Sequence, residues 1–393
     1  MSVKDRWLLP DGIEEVLPED ARRIETMRGR VLSLFNGWGY ERVMPPMVEF
    51  LDSLLTGVGR EMDLLTFKVT DQLSGRMMGI RPDMTPQAAR IDAHYLKLEG
   101  PVRLCYLGAV LRTRLDEFGG SREPIQLGAE LFGDNSQVSE AEIVSLMVAT
   151  LKLFSIQGIH LDIGHVGIFR GLAAAAELDE DQEKELFDAI QLKAGTEVQG
   201  LTESWKVDRK LASMLSSLVT LNGDRSVLDE ANAVLKAAPQ PVLDSLKSLN
   251  SLVSRLDQEL PEQALYFDLA ELSGYSYYTG AVFSAFVPGH GRAIAKGGRY
   301  NGIGKAFGRD RPATGFSADL KQLLQLSDIE IENPGGILAP ESTDAGLLAR
   351  IDSLRAEGER VVRLLPGQDD NGKDAGCNRK LVNEKNKWIV KPI

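Results

Sequence analysis

Two strand-rich blocks separated by a long helix-forming stretch constrain this chain more than any other feature. The first block holds ERVMPPMVEF, a strand broken by Pro45 and Pro46, and FKVTDQLSGRMMGIRPD, which predicts a hairpin turning at Ser74-Gly75. VRLCYLGAVLRTR and IQLGAELFG, joined by LDEFGGSREP, predict two antiparallel strands. From about residue 166 to 257 the texture changes to Ala, Leu, Glu, Lys and Ser at helical spacing, as in ELFDAIQLKAG and KLASMLSSLVTLNG. Strand character returns in LYFDLAELSGYSYYTGAVFSAFV, followed by glycine-rich AKGGRYNGIGKAFG and a predicted helix near residues 316 to 326. Further amphipathic helices are predicted at 19 to 38, with Ile24, Met27, Val31, Leu34 and Phe35 on one face, and at 139 to 154. Strands, inserted helices and more strands predict an α+β core: an antiparallel sheet flanked by helices. Regular strand-helix alternation, which a doubly wound parallel sheet needs, is missing.

At roughly 100 to 200 residues per domain, the chain is long enough for two or three. Residues 1–325 predict one core carrying the helical insertion at about 166–257, and residues 326–393 a small α/β unit. That unit is entered through the Pro-Gly-Gly of IENPGGILAPES and holds one βαβ-like run, GGILA, DAGLLARIDSLRAEGE and RVVRLL, before a polar tail. The charge balance of 57 acidic against 45 basic residues, net −12, argues against extended binding to a phosphate backbone. Cys105 and Cys377 make no disulfide framework, and they and His94, His160, His165 and His290 show no metal-ligand spacing, so no metal or cofactor is expected. The N-terminus lacks an apolar signal core and no run reaches the roughly 18 apolar residues of a spanning helix. A cytoplasmic protein without a membrane segment is the expectation.

Several clusters have the residue types a site needs. Asp83 and Thr85 lie two apart in IRPDMTPQAAR, so a carboxylate and a hydroxyl can converge on an ammonium group; equally, either residue could be an N-cap before Pro86. Gln126 and Glu130 in IQLGAELFG share one face of a strand with Gly128 between them, which leaves either room for a small ligand on the backbone or a solvated sheet face. Tyr277 and Tyr278 fall on opposite faces of a predicted strand, as core packing or as phenols presented to a buried polar ligand. GGRYNGIGKAFG lacks GK[ST] and a dinucleotide context, and its glycines are read as permitting close strand packing. No Ser/His/Asp or Cys/His arrangement emerges, and no catalytic residue is assigned.

Taken in order, LLPDGIEEVLPEDARRIE, GYERVMPPMVEF, IRPDMTPQAAR, YLGAVLRTR, IQLGAELFG, GYSYYTGAVF, GGRYNGIG and PATGFSADL resemble the class II aminoacyl-tRNA synthetase core, and closely its histidyl-tRNA synthetase branch. The match runs from about residue 8 to 325. The resemblance implies a histidine pocket made by Asp83, Thr85, Gln126, Glu130 and Tyr278, with Tyr277, Tyr300 and the second-motif Arg112 beside them. Asp83 replaces the family's usual Glu. Three departures affect ATP chemistry: the second motif's Glu is Arg114, the third motif's clamping arginine is Gln322, and the arginine before the tyrosine pair is Ser273. Lost cations remove charge stabilisation that adenylate formation needs. The C-terminal 65 or so residues are also short for the family's anticodon-binding domain.

A histidine pocket without ATP chemistry or an anticodon reader resembles the regulatory subunits of short-form ATP phosphoribosyltransferase. That resemblance implies a non-catalytic chain in histidine biosynthesis that activates a short catalytic subunit and relays feedback inhibition by L-histidine as allosteric ligand. It implies a self-dimer, a hetero-octamer with the catalytic subunit, and no tRNA. A working histidyl-tRNA synthetase and a stand-alone histidine-binding paralogue are the alternatives.

Overall fold

Two eight-residue strands, Val102–Ala109 and Ile125–Phe132, pair antiparallel over their whole length and anchor a nine-stranded sheet. The computed structural model describes residues 7–115, 120–270, 274, 277–331, 333–368, 371–372 and 375–393. They divide into two units, Met1–Ile329 and Glu330–Ile393. In the first, the strands run Glu41–Arg42, Val102–Ala109, Ile125–Phe132, Ala313–Asp319, Ala295–Arg299, Ala281–Phe286, His160–His165, Ala264–Asp268, Asn222–Gly223. Pairing is antiparallel except where Glu41–Arg42 meets Val102–Ala109 and His160–His165 meets Ala264–Asp268.

Period-2 alternation gives this sheet two buried faces. Leu127, Ala129, Leu131 and Phe316 point to one, against which the helices Pro18–Gly37 and Gln137–Lys152 pack; Phe35 meets Phe316 edge-on at 6.1 Å. Ile24, Met27, Val31 and Phe35 are the buried stripe of the first helix, which starts at Pro18 with Glu19 and Asp20 in its first turn. The opposite face carries Gln126, Gly128 and Glu130, with Tyr106 from the neighbouring strand, and is covered by Thr85–Arg90 and the 3-10 turn Ile303–Phe307. The helical insertion begins at Val166 and closes with the long helix Gln240–Glu259, interrupted only by Asn222–Gly223.

The helix expected near 316 to 326 is shorter. Residues 313–319 are a strand, paired with 126–132, and the helix is Leu320–Gln325. Asp319 sets the boundary: its carboxylate accepts the N–H of Lys321, capping the helix, and the N–H of Ile125 on the adjacent strand. The glycines of the Gly-rich run fit the packing reading. A Cβ on Gly297 would lie 2.2 Å from the carbonyl oxygen of Gly315, and one on Gly304 2.2 Å from that of Arg309.

A separate three-stranded sheet orders Val48–Phe50, Met77–Ile80 and Phe67–Thr70, with the expected hairpin closing between Asp71 and Arg76. The C-terminal unit orders Val361–Arg363, Gly336–Ala339, Cys377–Glu384 and Lys387–Pro392. Its helix Ala345–Ala356 lays Leu347, Ile351 and Leu354 on Ile337, Ala339, Val361 and Leu381. The single βαβ run is there, but the polar tail is not a loose appendage: Cys377–Glu384 and Lys387–Pro392 form a hairpin. Lys385 and Asn386 both take positive φ, 51° and 62°, the two-residue geometry that matches strand twist. Among the described residues no helix is long and apolar enough to cross a membrane.

Candidate functional site

Asp83 ties the start of a helix to the neighbouring strand without being the helix's N-cap. Its Oδ1 accepts the N–H of Thr85 at 2.6 Å, tightening the start of the helix Thr85–Arg90, while its Oδ2 accepts from Gln126 Nε2 at 3.0 Å. Neither Asp83 nor Thr85 is the N-cap, which is Met84. Gln126 Oε1 in turn accepts the Met84 N–H at 2.9 Å, so the strand and the helix entry are tied through one amide. Gln126 and Glu130 do share a buried face, at 4% and 1% exposure, which removes the solvated-face reading.

The space over Gly128 is not free for a ligand. Tyr106 stands directly opposite Gly128 in the register, and a Cβ at 128 would lie 2.4 Å from its Oη. The phenol crosses the glycine to donate to Glu130 Oε1 at 2.8 Å, and its oxygen lies 2.8 Å from Thr85 Oγ1. Tyr106 was missed from sequence, where it reads as one more apolar residue of a strand. The signal was there in principle, as an aromatic facing a glycine across an antiparallel pair.

Glu130 is enclosed on its remaining side by Tyr300, whose hydroxyl donates to Oε2. Its carboxylate lies over Gly315, where a Cβ would approach to 1.6 Å, and the Tyr278 ring lies over Gly298 in the same row of the sheet. None of the ion pairs formed among the described residues uses Glu130. Burial therefore dominates and pushes its carboxyl up to about 8, against the opposing pull of the Tyr300 and Tyr106 donors.

Tyr277 and Tyr278 are not on a strand. Both backbone N–H groups donate to the carbonyl of Gly274, at 2.8 and 2.9 Å, so the pair sits in a turn and turns both rings toward the cluster. Tyr277 stacks on Tyr300 with centroids 5.0 Å apart and meets Tyr278 edge-on at 5.2 Å. Among the described residues its buried hydroxyl has no hydrogen-bond partner, and the nearby charge of Glu130 raises its pKa further beyond the effect of burial. The same Tyr277 and Tyr300 line a cavity of about 300 Å³ with Arg170, Thr279, Asn301 and Gly57.

Arg112 sits at the other end. Its Nε donates to the Pro82 carbonyl at 3.4 Å and its charge reaches Asp319, the residue paired with Gln126. Of the positions that bear on nucleotide chemistry, Arg114 is exposed and Gln322 is hydrogen-bonded to His290 Nε2 at 2.8 Å; Ser273 lies outside the described residues. The buried Gln126, Glu130 and Tyr300 and the partly buried Asp83, Thr85, Tyr277 and Tyr278 thus form one polar cluster, with Arg112 at its edge.

The histidyl-tRNA synthetase family matches residues 12–323, and the family described as the ATP phosphoribosyltransferase subunit HisZ C-terminal domain matches residues 334–391. An ATP phosphoribosyltransferase regulatory subunit of Pseudomonas fluorescens is 55% identical over 395 residues, covering 100% of both chains. Its counterpart in Stutzerimonas stutzeri is 53% identical with the same coverage. A solved ATP phosphoribosyltransferase regulatory subunit/histidyl-tRNA synthetase from Bacillus halodurans has a TM-score of 0.82 at 27% identity, over 94% of this chain and 96% of that one. A histidyl-tRNA synthetase from Nostoc, 19% identical, shares the fold, with a TM-score of 0.78 over 96% and 91%. Built on a class II synthetase-like core and similar from end to end to these subunits, the chain belongs to the ATP phosphoribosyltransferase regulatory subunit family.

Proposed function

We propose that this chain is the non-catalytic, histidine-sensing partner of a short-form ATP phosphoribosyltransferase catalytic subunit, which it activates and through which it relays feedback inhibition in histidine biosynthesis. L-histidine occupies the cluster of Asp83, Thr85, Gln126, Glu130 and Tyr278, with Tyr277, Tyr300 and Arg112 at its borders. The observation that carries this reading is a buried carboxylate, Glu130, whose charge acts on the phenol of Tyr277, a hydroxyl that is buried with no hydrogen-bond partner among the described residues. A neutral imidazole offers one N–H and one bare nitrogen, and a carboxylate and a free phenol are their complements. At the other end, Asp83 and the Thr85 oxygen suit the α-ammonium, and Arg112 the α-carboxylate.

Feedback needs histidine to bind the active and inhibited assemblies unequally. A self-dimer within a hetero-octamer supplies an assembly with two such states. Support for the dimer comes from the three-stranded sheet, which stacks Val48, Ile80 and Phe67 in one cross-strand row and Phe50, Met78 and Val69 in the next, all on one face. Val48, Phe50 and Val69 are exposed there at 39, 36 and 38%.

Calorimetry on the purified chain and histidine inhibition of the complex with its catalytic subunit test the site. Wild type is expected to bind histidine and confer inhibition, and Glu130→Ala to weaken both by ~10- to 100-fold, as loss of a charged hydrogen bond does. Unchanged inhibition in Glu130→Ala would remove the site. Histidine-dependent pyrophosphate exchange is expected to be absent, and its detection would favour a synthetase instead.

A further inference from the structure

Tyr106 hydrogen-bonds to both Glu130 and Thr85, which themselves lie close enough for the Thr85 hydroxyl to lower the Glu130 pKa, and the direction of its hydrogen bonds has a consequence for the ligand. A phenol has a single proton. When Glu130 is ionised, the form that accepts an N–H most strongly, Tyr106 must spend that proton on Oε1, 2.8 Å away. Its oxygen can then only accept from Thr85 Oγ1, 2.8 Å on the other side. The Thr85 proton is drawn inward, and the lone pairs of Oγ1 are left for an outside donor. A hydroxyl free to rotate would instead present its own proton, or a mixture of the two.

The ring is held for this task. It is fully buried, and it lies flat enough on Gly128 that a Cβ there would come within 2.4 Å of its oxygen. The neighbours are fixed as well, since the Thr85 N–H is held by Asp83 Oδ1 and Glu130 Oε2 by Tyr300. The proton direction set at Glu130 therefore cannot be absorbed by a rotation of the phenol.

We infer that Tyr106 is a positioning residue that fixes the Thr85 hydroxyl as an acceptor, so that occupancy of the Glu130 end by a ligand N–H prepares the Thr85 end for a ligand ammonium. The inference rests on the proposed histidine site and deepens it: the cluster selects ligands that carry a cationic amine and an N–H heterocycle together, because recognition of one end sets the polarity at the other.

A double-substitution cycle with Tyr106→Phe and Thr85→Val tests it, because Tyr106→Phe keeps the ring over Gly128 and removes only the hydroxyl. Histidine affinity is read by calorimetry, and melting of the ligand-free protein is read alongside. Each single substitution is expected to weaken histidine by about tenfold, and the double to fall clearly short of their product, since the part of each effect that runs through the Thr85–Tyr106 bond is lost only once. Independent effects, with the double weakened by about a hundredfold, would show Tyr106 to be packing only and overturn the inference while leaving the histidine site intact. Wild type failing to bind histidine would remove the proposed site and the positioning role with it. The melting cycle would then report only whether the Thr85–Tyr106 bond exists.

Discussion

Glu130 should make both stability and ligand affinity depend on pH, with opposite signs. Its folded carboxyl titrates near 8, against 4.5 for an ordinary Glu, so between those values the folded state holds a proton that the unfolded state has lost. Its contribution to stability is complete below about pH 4.5 and declines as pH rises toward 8, by up to ~1.4 kcal/mol per pH unit. Glu130→Gln removes the titration and is expected to flatten this decline in melting curves between pH 5 and 8. The ionised carboxylate is the stronger acceptor for a histidine N–H, so binding is expected to release the proton and affinity to rise by up to ~tenfold per pH unit over pH 6.5 to 8. Titration in buffers of different ionisation enthalpy measures the release directly; an affinity flat across this range would mean that Glu130 is already ionised in the free protein. At this scale the sequence conveyed residue types well. Asp83, Thr85, Gln126 and Glu130 were legible because short local spacings, two apart at a helix entry and four apart on a strand, bring each pair together without reference to the rest of the chain.

Elements depend on what lies across from them, and here the strands at the site were legible in kind but not in content. The pairing of Val102–Ala109 with Ile125–Phe132 could be read from two apolar alternations and a loop, whereas the filling of the Gly128 gap by Tyr106 required the register. Gly128→Ala tests that dependence. With the Tyr106 oxygen at 2.4 Å, the methyl must push the phenol off Thr85 and Glu130, and a loss of ~1–3 kcal/mol in denaturant melts should accompany loss of histidine binding. A Gly128→Ala protein with wild-type stability and affinity would mean that the ring has other room. The tyrosine pair shows the same limit: SGYSYYTG alternates like a strand, but Gly274 at φ 75° starts a turn, and the carbonyl that receives both N–H groups belongs to that turn and not to a neighbouring strand. The C-terminal hairpin was obscured because its turn is Lys385-Asn386 rather than a glycine-containing pair.

For the whole molecule, the regulatory identity shown by its relatives implies assembly with a catalytic partner, and one surface stands out for self-association. The two rows on the three-stranded sheet are made of apolar residues, with the Arg76 guanidinium 3.6 Å over the Phe50 ring and that of Arg122 5.1 Å from the Phe67 ring, while Lys68 and Glu49 occupy the opposite face of the same strands. Phe50→Glu and Val69→Lys together should convert a dimer to monomer in analytical ultracentrifugation while leaving the melting of the monomer's own core intact. Persistence of the dimer would place its interface elsewhere.

The sequence by itself determined the class of fold and the family and named the candidate polar residues, since period and spacing are local properties and the ordered motifs run along the chain. Only the tertiary structure decided which side chains meet: Tyr106 over Gly128, Tyr277 against Tyr300, and Glu130 enclosed with no ion-pair partner among the described residues. Those meetings depend on strand register and on the path of a turn, which bring together residues far apart in the chain, and the cost of burying a charge exists only once the walls around it are closed.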